Sequence, residues 1–188
     1  FGGSSLAKAS NLKAIRNIIQ SHTQIGNKVM VVVSAVNDVT DKLLECIEFA
    51  RQGQYNSCRL MIDRIKNEYL DLYNQAKFDN RPAQHTVLYE YMQQLDSILY
   101  GLSLTRDYTL RITDTILGYG ELSSTWLLEQ LFIHDYPNLQ RLDTRQVIIT
   151  DDQFGSANID WDLTTSKLKA YYAGKEDVPL FIISGFIG

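Results

Sequence analysis

Proline, cysteine and histidine are all scarce in this chain: 3, 2 and 3 among 188 residues. Two cysteines cannot build the disulfide framework of a small secreted domain. Cys46 and Cys58 also lack metal-ligand spacing, so they read as free thiols in a reducing cytoplasm. His22, His85 and His134 stand singly and are assigned no metal role. No apolar run approaches the ~20 residues of a membrane span, and no signal-peptide pattern appears. Basic charge is not in excess: 18 Lys+Arg against 22 Asp+Glu leave a net charge of −4, which argues against a nucleic-acid partner. Repeats and low-complexity tracts are missing too. What remains is ordinary globular composition, 45% hydrophobic and 21% charged, enough for one domain with a sizeable core.

Hydrophobic periodicity divides the chain into alternating elements. Leu12, Ile15, Ile18 and Ile19 recur at helical spacing over residues 6–20, with Ser10 or Asn11 as cap. Gly26-Asn27 turns into a β-branched run over 28–35, which suits a strand buried on both faces of a parallel sheet. Thr40 caps a helix reaching Arg51. Helices are then expected over 55–76, 86–104, 107–117 and 121–134, the first two parted by Asp79-Asn80-Arg81-Pro82. Short strands follow at 139–142 and 146–149, a helix at 163–173, and a further buried strand at 178–184. This order predicts an α/β layered domain with a helical excursion at about 55–117. Ligands in such sheets bind beyond the carboxyl ends of strands, and the chain stops four residues past the last strand. It therefore reads as a fragment of a larger protein.

Four short segments fall where strands end or helices begin. They are Phe1-Gly2-Gly3-Ser4-Ser5, the run Ser34-Ala35-Val36-Asn37-Asp38-Val39-Thr40, Gly118-Tyr119-Gly120-Glu121, and Ser184-Gly185-Phe186-Ile187-Gly188. Paired glycines let backbone N–H groups approach an anion closely. Each segment also has a plain structural reading: a frayed terminus, a strand exit with its cap, a first-turn acid, a turn.

Together the four segments resemble the aspartokinases of the amino acid kinase superfamily. That family opens on Lys-Phe-Gly-Gly-Thr/Ser-Ser, matched by Phe1 to Ser5 except for the lysine. Its Val-Val-(Leu/Val)-Ser-Ala strand exit, with a threonine six residues after the serine, is matched by Val32-Val33-Ser34-Ala35 and Thr40. Gly120-Glu121-Leu122-Ser123, Asp143-Thr144-Arg145, Phe154-Gly155 and Gly185-Phe186-Ile187-Gly188 complete the series in order along the whole chain.

The resemblance implies the carbamate kinase-like fold, an αβα sandwich around a mainly parallel sheet, of which residues 1–188 form the N-terminal, substrate-side lobe. It implies transfer of the ATP γ-phosphoryl, with Mg2+, to the β-carboxylate of L-aspartate. Gly2, Gly3, Ser4 and Ser5 would face phosphate. Ser34, Thr40, Gly185 and Phe186 would hold the amino acid, and Glu121 would take its α-ammonium. The parent is expected to be a cytoplasmic homo-oligomer, monofunctional or fused to homoserine dehydrogenase.

Two departures stand out. The family lysine before Phe1 has no counterpart, and the downstream Gly-Arg-Gly-Gly-Ser-Asp segment, the nucleotide-binding half and the regulatory ACT domains are not represented. No catalytic residue is assigned for that reason. The alternatives are a glutamate or N-acetylglutamate kinase on the same fold, or a non-catalytic interaction module built on the helical excursion with its tyrosines.

Overall fold

Three parallel strands carry the architecture in a computed structural model that describes residues 1–79 and 81–185. β1 (Val29–Val33) and β2 (Gln140–Leu142) flank β3 (Leu180–Ser184). Val31 faces Ile182, and Leu142 faces Ile183. Phe1 extends the ladder on the outer edge of β1: its amino group donates to the Val32 carbonyl (2.7 Å) and its carbonyl accepts from Ser34 N–H (3.2 Å).

Seven helices accompany this sheet among the described residues: α1 (Gly3–Leu6), α2 (Ala9–Thr23), α3 (Val39–Arg51), α4 (Tyr55–Ala76), α5 (Thr86–Thr105), α6 (Leu110–Phe132) and α7 (Trp161–Tyr172). Val31, Val33, Leu180 and Ile182 point into one continuous core. Leu12 and Ile15 of α2, Leu43 of α3, Ile65 and Tyr69 of α4, Leu95 of α5 and Trp126 of α6 share that core. The other face of β1 is barely covered, with Met30 56% and Val32 49% exposed. The run is therefore buried on alternate residues rather than on both faces. On that side α7 contributes Tyr172, packed edge-on against Phe181 of the central strand at 5.0 Å with its hydroxyl 3.8 Å from Met30 Sδ of β1.

Several boundaries differ from the sequence reading. The first helix is two: α1 is a single turn with Gly2 as cap, and Lys8 in extended backbone separates it from α2. Thr40 is not a cap, because α3 begins one residue earlier, after Asp38 in the left-handed conformation (φ 65°). The helices expected at 107–117 and 121–134 are one 23-residue helix, capped by Thr109 accepting from Ile112 N–H. The helical excursion thus ends at Phe132, not near 117. Residues 146–149 form no strand; Asp143 caps a 3-10 turn at Thr144–Gln146 instead, and pairing resumes only as a bridge between Thr150 and Ile159. Of the α4 tyrosines, Tyr69 and Tyr73 are buried in the core and Tyr55 is half-buried. Cys46 and Cys58 are buried and unbridged, and burial pushes the Cys46 thiol up to about 12. Among the described residues no helix is long and apolar enough to cross a membrane.

Candidate active site at the carboxyl edge of the sheet

Where β1 runs out, its backbone leaves the ladder and must find other partners. Residues 33, 34 and 37 are each held by a different part of the chain. The Val33 carbonyl accepts from Gly185 N–H (2.8 Å), and Ser34 N–H donates to the Phe1 carbonyl. The Ala35 backbone lies beside the Glu121 carboxyl and that of Val36 beside the Tyr69 phenol, each favouring the ionised form of its neighbour. Asn37 N–H donates to the Gly3 carbonyl (3.2 Å). This strand exit gathers the four sequence segments at one edge of the sheet. Thr40 follows in the first turn of α3, exposed to solvent.

The glycines show how closely the segments approach. A Cβ on Gly3 would lie 2.6 Å from the Ala35 carbonyl oxygen, and one on Gly120 would lie 2.7 Å from the Ala35 Cβ. One on Gly185 would meet the Val33 carbonyl oxygen at 3.1 Å. These three glycines are needed for packing against the strand exit. Gly2 is different: a Cβ there would meet nothing within 4 Å. Its side faces open space, so the fold does not itself require a glycine there.

Glu121 is the buried charge of this edge, only 8% exposed, in the middle of α6 rather than at a helix start. Burial raises its carboxyl from the ordinary 4.5 to about 7, against the Ala35 N–H, which favours the ionised form. Ser34 is half-buried. Beside it, the exits of β3 and β2 are joined: Ser184 Oγ lies 2.8 Å from Thr144 Oγ1 and accepts from Thr144 N–H (3.2 Å). Arg145, next in line, is locked to Asp143 by a paired contact (2.9 and 2.6 Å). Ser4 and Ser5 lie in α1, and Phe186 lies outside the described residues.

Sequence reasoning misses Tyr69 and Ser124. Tyr69 Oη donates to the Gly120 carbonyl (2.8 Å) and lies 3.1 Å from Ser124 Oγ, which donates to the same carbonyl (3.1 Å). In the sequence a tyrosine at helical spacing reads only as core, and nothing there reveals where its hydroxyl goes.

Chemically, a carboxyl held in a poorly solvated recess favours a cationic partner such as an ammonium. The backbone around Gly2 and Gly3 can offer N–H donors to an anion. Residues 1–5, 34–40, 118–121 and 184–185 contain no Lys or Arg. Among the described residues no group of three or more His, Cys, Asp or Glu side chains could hold a metal ion.

Comparison with known proteins agrees with this architecture. The chain is 27% identical over 193 residues to the chloroplastic aspartokinase 3 of Arabidopsis thaliana, covering all of this chain and 33% of that protein. It is 30% identical to an aspartokinase of Chlamydia trachomatis, covering 39% of it. It superimposes with a TM-score of 0.77 on Escherichia coli aspartokinase III solved with aspartate and ADP, at 25% identity, over 99% of this chain and 39% of that one. The chain thus spans only about a third to two fifths of the length of these proteins. The amino acid kinase family model matches residues 1–188, every residue of the chain. The chain belongs to the amino acid kinase family.

Proposed function

We propose that the protein carrying this chain is an aspartate kinase, transferring the γ-phosphoryl of ATP to the β-carboxylate of L-aspartate to give 4-phospho-L-aspartate. This is the opening step toward the lysine, threonine and methionine families of amino acids. The observation that carries the reading is Glu121, a buried carboxyl beside Ala35 at the exit of β1. The E. coli structure that this chain resembles holds aspartate and ADP.

The nucleophile is a carboxylate, ionised at neutral pH, so the reaction needs alignment and charge stabilisation rather than a base. One β-carboxylate oxygen forms a bond to the γ-phosphorus, the bond from that phosphorus to the β,γ-bridging oxygen breaks, and ADP leaves. In this reading Glu121 pairs with the α-ammonium and fixes the orientation of the amino acid. Ser34, Thr40, Gly185 and Phe186 line its path, and residues 2–5 give backbone and hydroxyl donors to the phosphoryl. The open space at Gly2 fits a close-approaching phosphate. Mg2+ bound with the nucleotide would neutralise its phosphates; no residue of this chain is assigned to it. Two buried free thiols support a reducing, cytoplasmic setting, and a homo-oligomer is part of the same proposal.

The test is β-aspartyl hydroxamate formation from ATP, aspartate and hydroxylamine by the full protein that carries this chain. Aspartate should be preferred over glutamate, and Glu121→Gln should raise the KM for aspartate. Preferential phosphorylation of glutamate, or an unchanged KM in the variant, would overturn the assignment.

A further inference from the structure

β2 ends one residue before β3 does. Its last ladder partner is Leu142 opposite Ile183, after which the Asp143 cap turns the chain into the 3-10 segment Thr144–Gln146. β3 continues to Ser184, where a side chain takes over from the ladder. Ser184 Oγ accepts from Thr144 N–H (3.2 Å) and lies 2.8 Å from Thr144 Oγ1. Thr144 is 6% and Ser184 2% exposed, so water is poorly placed to replace these contacts. On the opposite flank of the same exit, Gly185 N–H donates to the Val33 carbonyl (2.8 Å). The approach there is close, since a Cβ on Gly185 would meet that oxygen at 3.1 Å. The β3 exit is thus held from the β2 side by two hydroxyls and from the β1 side by one backbone bond. Ser34 is the next residue along β1.

We propose that Thr144 is a positioning residue for the amino-acid side of the site: its hydroxyl, through Ser184, fixes Gly185 against the β1 exit. The consequence for substrate rests on the aspartate kinase reading. The hold on the β3 exit stands apart from it. Whichever hydroxyl donates, deleting the Thr144 oxygen leaves Ser184 Oγ with one bond instead of two among the described residues, in a buried position where a lost partner is costly. The exit can then drift from β2, and Gly185 with it.

Thr144→Val keeps the shape and the backbone N–H and deletes only the hydroxyl. In steady-state kinetics of the full protein it should raise the KM for aspartate about fivefold, as expected for one buried hydrogen bond, with a smaller change in kcat. Thr144→Ser, which keeps the oxygen, should restore the KM. Thr144→Val combined with Ser184→Ala should be no worse than Ser184→Ala alone, because both act through one contact. Thr164→Val is the control: that threonine is equally buried, but its hydroxyl accepts from Ile149 N–H (2.9 Å) and touches no segment of the site. It should leave the KM unchanged.

Hydrogen exchange of the full protein, read by mass spectrometry on peptides spanning residues 180–185, needs no substrate. Exchange there should quicken in Thr144→Val and not in Thr164→Val. A Thr144→Val protein that loses thermal stability but keeps both the KM and this protection would make Thr144 a packing residue and overturn the proposal. Additive effects in the double variant would do the same. A wild-type protein that does not phosphorylate aspartate would sink the kinase reading alone, and the exchange comparison would still decide the role of Thr144. Should Thr144→Val not fold, Ser184→Ala carries the same comparison: a raised KM with faster exchange supports the contact, and wild-type values for both refute it.

Discussion

Replacing Glu121 by glutamine should make the free protein more stable at alkaline pH and, in the same stroke, impair substrate binding. Glu121 ionises near 7 in the folded chain, against 4.5 for an unperturbed glutamate, because burial disfavours its charged form. The folded state therefore holds this proton more tightly than the unfolded chain. Its stabilising effect is fully present below about pH 4.5 and is lost progressively as the pH rises through about 7. At 1.36 kcal/mol per pH unit, that window corresponds to about 3 kcal/mol of stability missing at pH 8 relative to pH 4.5. Glutamine is nearly the same size and stays neutral. Glu121→Gln should recover most of that loss, leaving the variant about 2–3 kcal/mol more stable than wild type at pH 8 and level with it near pH 4.5. Urea denaturation of both proteins across pH 4.5–8.5, followed by circular dichroism, measures the difference. Aspartate binding should move the other way, with Kd weakened about thirty-fold at pH 8 by the loss of a charge-assisted pair worth about 2 kcal/mol. Equal stability of the two proteins at pH 8 would mean that Glu121 is not the buried, proton-holding group described here.

In the wild-type protein, aspartate affinity should weaken about tenfold per pH unit below 7 as Glu121 becomes protonated, a dependence that isothermal titration resolves and that Glu121→Gln should abolish. Gly3→Ala should lower stability by about 1–3 kcal/mol, because its Cβ would press on the Ala35 carbonyl. Gly2→Ala should leave thermal stability within about 0.5 kcal/mol of wild type yet raise the KM for ATP, and unchanged ATP kinetics would remove Gly2 from the phosphate side. Purified residues 1–188 should form no aspartyl hydroxamate, because none of the site segments brings a Lys or Arg to a transferring phosphoryl group. Measurable ATP-dependent product would contradict that.

Much of this edge was legible because it is written in short-range signals. The β-branched run at 29–33 has only one comfortable secondary structure, and it appears as β1. Leu180 to Ser184 is apolar on both faces and takes the central position. What local signals could not give is long-range packing. Gly118 and Gly120 read as a break because glycine costs about 1 kcal/mol in a helix interior. The helix nevertheless runs through them, since at Gly120 any larger side chain would collide with Ala35, 85 positions earlier in the chain. The residues at 146–149 looked like a strand from Val147, Ile148 and Ile149. The Asp143 cap diverts the chain first, with its side chain accepting from Arg145 N–H (3.1 Å). Tyr69 shows the same limit most clearly: its apolar ring fixed its place on the core face of α4, while periodicity says nothing of its hydroxyl, which donates to the Gly120 carbonyl.

Placing the binding carboxylate inside a continuous helix has a consequence for selectivity. An acid at a helix start would be stabilised as an anion by the helix dipole and would stay charged with or without a ligand. In mid-helix Glu121 receives no such help, and its burial keeps it near half-ionised at neutral pH. On the proposed reading, an arriving α-ammonium supplies the missing counter-charge and draws the proton off, so binding and ionisation reinforce each other. A plain dicarboxylate such as succinate brings no cation. It meets either a neutral acid, with which it forms no ion pair, or a buried anion that repels it. The same desolvation that weakens the free protein above pH 7 therefore favours an amino acid over its deaminated analogue. Competition by succinate should stay weak at every pH, while competition by aspartate analogues that keep the ammonium should strengthen as the pH rises through 7.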